Sequence, residues 1–311
     1  MENNVQNDTQ YDDEIDLQEL FGVLWAGSLK IIAITVVFAV VSVFYALSVP
    51  NQYKATAMLA SAQSDGADLS GALGQIGGLA SLAGVSISGG ESSEAQIAKE
   101  IMQSWSFVEG FIAENNIAVE IYATQGWSRE SNELQIDDNL YDTETKTWLV
   151  ENNITGELGP PSSWELFSSF SQRLEVSEDP KSKLVSVSLE YYSPQIAKQW
   201  LDKYVSAINA HMQQRQVKKI TNNINYLQVQ IEQTSIAEMR EVFYTIIEEQ
   251  TKNMMLAEAS PDYVFVAVSP SMVPEQKSQP KRALICILGT MLGGMLSVML
   301  VLVMHFTRKF Y

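Results

Sequence analysis

The last apolar run of the chain, Ala283–Phe306, holds no Asp, Glu, Lys or Arg. About 20 such residues in a helix cross the hydrocarbon core of a bilayer. This run is therefore predicted to be a transmembrane helix. Lys281 and Arg282 stand just before it, and Arg308 and Lys309 just after, where long cationic side chains reach lipid headgroups. A second charge-free run, Ile31–Val49, is also about one bilayer long. A cleaved signal peptide would be the other reading of that run. Against it, the preceding segment is acidic, Lys30 is its only base, and no small-residue cleavage motif follows cleanly. The expected layout is a tail at 1–28, a first span at 29–49, a domain at 50–282, a second span at 283–306 and a tail at 307–311.

Two spans place both termini on one side. Lys30 argues for an inside N-terminus, while Lys281 and Arg282 balance Arg308 and Lys309. A domain of this size translocates largely regardless of loop charge. The expectation is termini inside and domain outside. Formal net charge is −17; residues 1–28 hold seven acids and no base, and the domain holds 30 acids and 17 bases. Such a surface repels nucleic acid and anionic lipid. The one cysteine, Cys286, lies in the second span, so no disulfide framework exists and the domain must be held by packing.

Taken in order, Ile15, Leu17, Leu20, Phe21, Val23 and Leu24 read as a short amphipathic helix anchored by Trp25 and Lys30, or else as a solvated tail before the span. Gln52–Ala60 is a strand. Residues 64–90 are rich in glycine, without a lysine or GxGxxG in a strand–loop–helix context, and read as a flexible or subunit-contact loop rather than a phosphate cradle. Ser93 with Gln96 suggests a capping box, and Ile97, Ile101, Trp105, Val108 and Ile112 then predict one helix to about Glu114. Residues 129–160 are acidic and rich in Asn: a long insertion or poorly ordered loop with a solvated acidic face, lacking a calcium-loop pattern. Pro160–Ser163 opens a helix that buries Trp164, Phe167 and Phe170.

Leu174–Ser177 and Leu184–Glu190 alternate apolar and polar residues and predict a hairpin turned at Glu178–Pro180. Ser193–Pro194 then opens the longest helical pattern, Pro194 to Gln233, about 60 Å at about 1.5 Å per residue, long enough to project from a small domain. Ile236–Ala259 reads as a returning helix with Met239, Val242, Phe243, Ile246 and Ile247 inward. Tyr263–Val268 is a final strand, followed by the proline-punctuated stretch 270–282. The fold class is an α+β membrane protein. Two terminal transmembrane helices flank an α/β base, 50–193 with 260–270, and a long helical hairpin at 194–259 projects from it.

Chemistry is sparse. No GxSxG, HExxH or CxxC occurs, and His211 and His305 are the only histidines. No cofactor or metal site is suggested. Paired carboxylates abound in any acidic domain, and none stands out. Two sets of apolar or small residues are the candidate contacts instead. Gly289, Gly293 and Ser297 recur every four residues on the second span, a ridge that lets another helix approach, with Ala39, Ser42 and Ala46 of the first span at compatible spacing; the alternative is a polymerase helix. Ile220, Ile224, Leu227 and Ile231 line the far half of the long helix and are the candidate stalk contacts.

Several blocks resemble the Wzz-type O-antigen chain-length determinants, the polysaccharide co-polymerases. They are the pre-span Ile15–Lys30, the glycine-rich Leu73–Ile87, Leu174–Trp200 and the proline-rich Pro270–Arg282, in that order between two spans. The resemblance implies an inner-membrane protein with a periplasmic domain and cytoplasmic tails. It also implies a homo-oligomer, a ring of about eight protomers in contact through base and stalk. Its implied partners are a Wzy-type polymerase, undecaprenyl-linked polysaccharide and the lipid bilayer, with no nucleic acid. It supplies no catalytic residues, and the kinase domain of the related capsule proteins has no counterpart up to Tyr311. The acidic insertion at 129–160 fits the family least well. A subunit of an export complex with a separate kinase, and a two-span periplasmic sensor, are the alternatives.

Overall fold

A computed structural model describes residues 17–62, 90–152 and 156–309. The chain forms two compact units, one of Met1–Val49 with Gln279–Tyr311 and one of Pro50–Ser278. The glycine-rich Leu73–Ile87, and Ile15, lie outside the described residues.

In the first unit, helix α1 (Leu17–Ala26) is followed by α2 (Ser28–Ser48), the first long apolar run. Gly27 joins them, its N–H donating to the Val23 carbonyl at 2.9 Å.

The second unit opens with strand β1 (Tyr53–Ser61), in which Ala55, Ala57 and Leu59 are buried on one side. The helix expected at 93–114 is two, α3 (Gly90–Met102) and α4 (Trp105–Asn115). Ser104 breaks them. It adopts extended backbone angles (φ −77, ψ 145) and its hydroxyl accepts the Phe107 N–H, which starts a new helix. Ser93 lies inside α3 rather than at its cap, and Trp105, expected inward, is 46% exposed.

The acidic segment 129–160, expected as a long insertion or a poorly ordered loop, forms short strands and turns over its described residues. After α5 (Ala118–Tyr122) come two small antiparallel pairs, β2 (Thr124–Ser128) with β3 (Glu133–Ile136) and β4 (Tyr141–Asp142) with β5 (Thr147–Trp148). Its acids build turns. Asp137 accepts from the Asn139 N–H at 2.9 Å, and Asp142 accepts from the N–H groups of Glu144 (2.8 Å) and Thr145 (3.1 Å). These hydrogen bonds hold both carboxyls below the usual carboxylate range, the Asn139 amide foremost for Asp137 and the Thr145 hydroxyl for Asp142.

Helix α6 (Ser163–Ser171) has a capping box: the Ser162 hydroxyl accepts the Glu165 N–H, and the Glu165 carboxylate accepts the Ser162 N–H at 2.8 Å. Phe170 is fully buried and Phe167 half-buried, but Trp164 is 65% exposed, so it is not part of the buried side. Strands β6 (Leu174–Glu178) and β7 (Val185–Tyr191) form the expected hairpin. Helix α7 (Pro194–Gln233) starts at Pro194 with the Ser193 hydroxyl capping Ile196, and α8 (Ala237–Ala259) returns beside it. Strand β8 (Phe265–Ser269) completes an antiparallel sheet in the order β6-β7-β1-β8.

One face of this sheet and the first half of α7 enclose the core. Val185, Val187, Leu189 and Tyr191 of β7 meet Ala197, Trp200, Leu201 and Tyr204 of α7, with Met102, Val108 and Phe111 beside them. Tyr204 packs edge-to-face on Phe111 at 4.9 Å and on Phe107 at 5.3 Å, and its hydroxyl donates to the Met102 carbonyl. Further along α7, the buried Asn209 holds the start of β8. Its amide donates to the Phe265 carbonyl at 2.8 Å, and its oxygen accepts from Val264 N (3.0 Å) and Phe265 N (2.9 Å). Beyond Ile220 the α7–α8 hairpin has no further covering layer among the described residues. Hence Met239, Val242 and Ile246, expected inward, are 42%, 51% and 36% exposed, while Phe243 and Ile247 are half-buried.

Ion pairs stitch the sheet edge: Lys99 with Glu178, Lys183 with Glu178 at 3.4 Å, and Lys54 with Glu175. The hydrogen bond from its lysine is the main reason each glutamate lies below the usual range. A lowered folded value contributes stability that is present above the unfolded value and lost as pH falls through the folded one. Thermal midpoints of the full chain measured from pH 7 downwards are therefore expected to fall once pH drops below about 4. The partial exposure of these pairs keeps the loss small at each pair.

The first unit closes with helix α9 (Arg282–Lys309), slightly longer at both ends than the expected span 283–306. It packs along α2 and against α1.

Candidate functional surfaces

The contact between α2 and α9 is set by the absence of side chains. A Cβ on Gly289 would lie 2.5 Å from the Ser42 Cβ, and one on Gly293 would lie 2.4 Å from the Phe38 Cβ. Ser297 is fully buried; its hydroxyl lies 3.5 Å from that of Thr35 and donates to the Gly294 carbonyl at 2.7 Å. Ser42 and Ala46 are buried and Ala39 is half-buried. At one end Arg282 donates to the Ala46 carbonyl at 3.1 Å. At the other, a Cβ on Gly27 would lie 2.4 Å from Val301 Cγ1. Sequence reasoning named Gly289, Gly293 and Ser297 but missed Phe38, Thr35 and Gly27. Phe38 was hidden because its Cβ, rather than its ring, carries the closest approach. The outward-facing Val36, Val40 and Phe44 of α2 and Leu288, Met291 and Met295 of α9 are exposed and apolar. Both helices are long and apolar enough to cross a membrane.

In the other unit, Ile220 is buried within the chain, and Ile224, Leu227 and Ile231 are half-buried along α7. Large apolar side chains that sequence reasoning did not single out are more open: Tyr226 at 64%, Met255 at 61% and Leu256 at 65%. Gln213 ties the two helices together, its amide donating to the carbonyls of Ala257 (2.9 Å) and Ser260 (3.1 Å).

Among the described residues, no group of three or more His, Cys, Asp or Glu is placed to hold a metal ion. His211 is exposed, its ring edge-to-face on Phe107 at 5.5 Å. Burial raises the phenols of Tyr191 and Tyr204 in the core, and of the half-buried Tyr263, well above the usual range.

Residues 13–115 match the family of Wzz chain length determinant proteins. The matched region takes in α1, α2, β1, α3 and α4 and ends before the acidic segment 129–160. Among solved structures, the chain is similar to a full-length bacterial polysaccharide co-polymerase, at 16% identity over 96% of this chain and 99% of that one, with a TM-score of 0.37. It is similar to a fragment of WzzB, a polysaccharide co-polymerase from Salmonella Typhimurium, at 12% identity over 74% of this chain and 100% of that one, with a TM-score of 0.32. A mutant of the Shigella flexneri lipopolysaccharide O-antigen chain-length regulator WzzBSF is matched at 10% identity, over 73% of this chain and 100% of that one, with a TM-score of 0.20. No curated protein matches the chain.

Proposed function

We propose that the chain sets the modal length of a polysaccharide, the O-antigen of lipopolysaccharide. In this reading it is a non-catalytic partner of a Wzy-type polymerase that acts on undecaprenyl-linked substrate. The match of residues 13–115 to the chain length determinants carries this reading. In it, α2 and α9 span the inner membrane, residues 50–282 stand in the periplasm and both termini face the cytoplasm. The apolar outer faces of the two helices support the membrane placement. The chain works as a homo-oligomer of about eight copies, closed by rotational symmetry. The open apolar side chains of the α7–α8 hairpin, such as Tyr226 and Leu256, support contact between neighbours there.

Deleting the gene and separating the lipopolysaccharide on a gel tests the function. The expected result is loss of the modal cluster of bands, restored by the full chain on a plasmid. Unchanged banding contradicts it.

A further inference from the structure

Residues 118–167 include two tryptophans, Trp148 and Trp164, that the core does not use. Trp148 packs edge-on between two tyrosines: Tyr141 lies at 5.1 Å with planes at 69°, and Tyr122 at 6.2 Å with planes at 70°. All three are only half-buried. Tyr122 ends α5, which packs on α6. It feels the charge of Glu165 in the first turn of α6, which adds to burial in holding its phenol above the usual range. Next to Glu165 stands Trp164, 65% exposed, its ring 5.2 Å from that of Phe167. Neither tryptophan belongs to the buried cluster or packs against it.

The charge around these rings narrows what can dock there. Between 129 and 160 the sequence has eight acids against Arg129 and Lys146. A field of that sign turns away polyanions, including nucleic acid, anionic lipid and glycans bearing uronate or phosphate. An uncharged sugar polymer meets no such barrier. A pyranose ring offers a face of C–H groups that packs on an aromatic face, and a rim of hydroxyls that donate to carboxylates. Trp and Tyr supply that contact area at low entropic cost, having only two side-chain torsions each.

We infer that the exposed Trp164 and the half-buried Trp148 with its two tyrosines bind an uncharged polysaccharide through ring stacking, holding the growing product against this part of the chain. The inference rests on the chain-length function proposed above and assigns the segment 118–167, beyond the region matched by the family, to the product. Each site is weak alone. A repeating polymer that meets several copies gains through effective concentration, so binding rises with the number of repeats.

The test titrates the full chain in detergent with delipidated polysaccharide from the strain that carries the gene. Dextran serves as neutral reference and polygalacturonate as anionic reference. The native polysaccharide is expected to bind, more tightly as its length grows, and polygalacturonate is expected not to. Trp164→Ala is expected to weaken binding at least about tenfold, the loss of a packed aromatic contact. As Trp164 is largely exposed, this variant keeps the thermal midpoint and the particle size; Trp148→Phe supplies an independent, smaller loss. Equal binding by Trp164→Ala and the unchanged chain overturns the inference. So does binding of polygalacturonate as tight as that of the native polysaccharide. A changed particle size with binding intact also overturns it and gives the face to a second copy. If gene deletion alters the banding while Trp164→Ala binds normally, the length-control function stands and this inference alone fails. If deletion leaves banding unchanged, the function itself fails.

Discussion

Gly293→Leu is expected to force α2 and α9 apart. The first side-chain atom added at this position would sit 2.4 Å from the Phe38 Cβ and 2.7 Å from its Cγ, well inside van der Waals contact. Neither atom is the far end of a flexible chain, so relief requires the helices to move. That movement also opens the fit of Gly289 over Ser42 and the approach of Ser297 to Thr35, since all three contacts lie along one ridge. Between apolar helices close packing is the chief source of affinity, and overpacking costs about 1–3 kcal/mol or more. Gly294→Ala is the matched control, because a Cβ there meets only the Thr35 hydroxyl, at 4.0 Å. Thermal unfolding of the full chain in detergent should therefore show a lower midpoint for Gly293→Leu and an unchanged one for Gly294→Ala. Equal midpoints for the two would mean that the ridge does not set the contact.

Asn209→Ala is expected to be the most damaging single change in the α/β domain outside its apolar core. Asn209 is 2% exposed, and one amide satisfies three backbone groups at the start of β8. Removing it leaves the Phe265 carbonyl and the Val264 and Phe265 N–H groups without that partner in a buried setting. Each such orphan costs about 1–3 kcal/mol, so a loss of about 3–5 kcal/mol is expected after partial relaxation. Asn209→Asp is informative beside it: the acceptor for the two N–H groups remains, but the donor to the carbonyl is lost. An intermediate midpoint is expected for Asp and the lowest for Ala. A midpoint for Asn209→Ala within one or two degrees of the unchanged chain would show that α7 does not hold β8 in this way.

The parts of the fold that follow from local chemistry could be read before the structure. Ser193–Pro194 and the apolar spacing from Ile196 onward define α7 from its cap to Gln233. The alternation in Val185–Tyr191 defines a strand buried mainly on one side. The break at Ser104 was hidden, because the apolar period runs straight across it and only the backbone angle of one serine interrupts the helix. The turns of the acidic segment were hidden because its acids were weighed only as charges. Asp137 and Asp142 act as hydrogen-bond acceptors that close turns, a role that composition conceals. The exposure of Met239 and Val242 was invisible for another reason: apolar spacing shows which face of a helix wants cover, not whether this chain supplies it. Of the contact residues, the glycines of α9 were legible as small, whereas Phe38 was not, since nothing in a phenylalanine's sequence position says that its Cβ will be the point of approach.

Product length in a defined system tests the central claim most directly. A Wzy-type polymerase and its lipid-linked repeat unit are placed in membrane vesicles with or without the full chain, and the polymer is sized. With polymerase alone, abundance should decline smoothly with length. Adding the chain should gather the product around one modal length, and the chain without polymerase should make no polymer. The same distribution with and without the chain, or polymer formed by the chain alone, would contradict a role as a non-catalytic regulator of length.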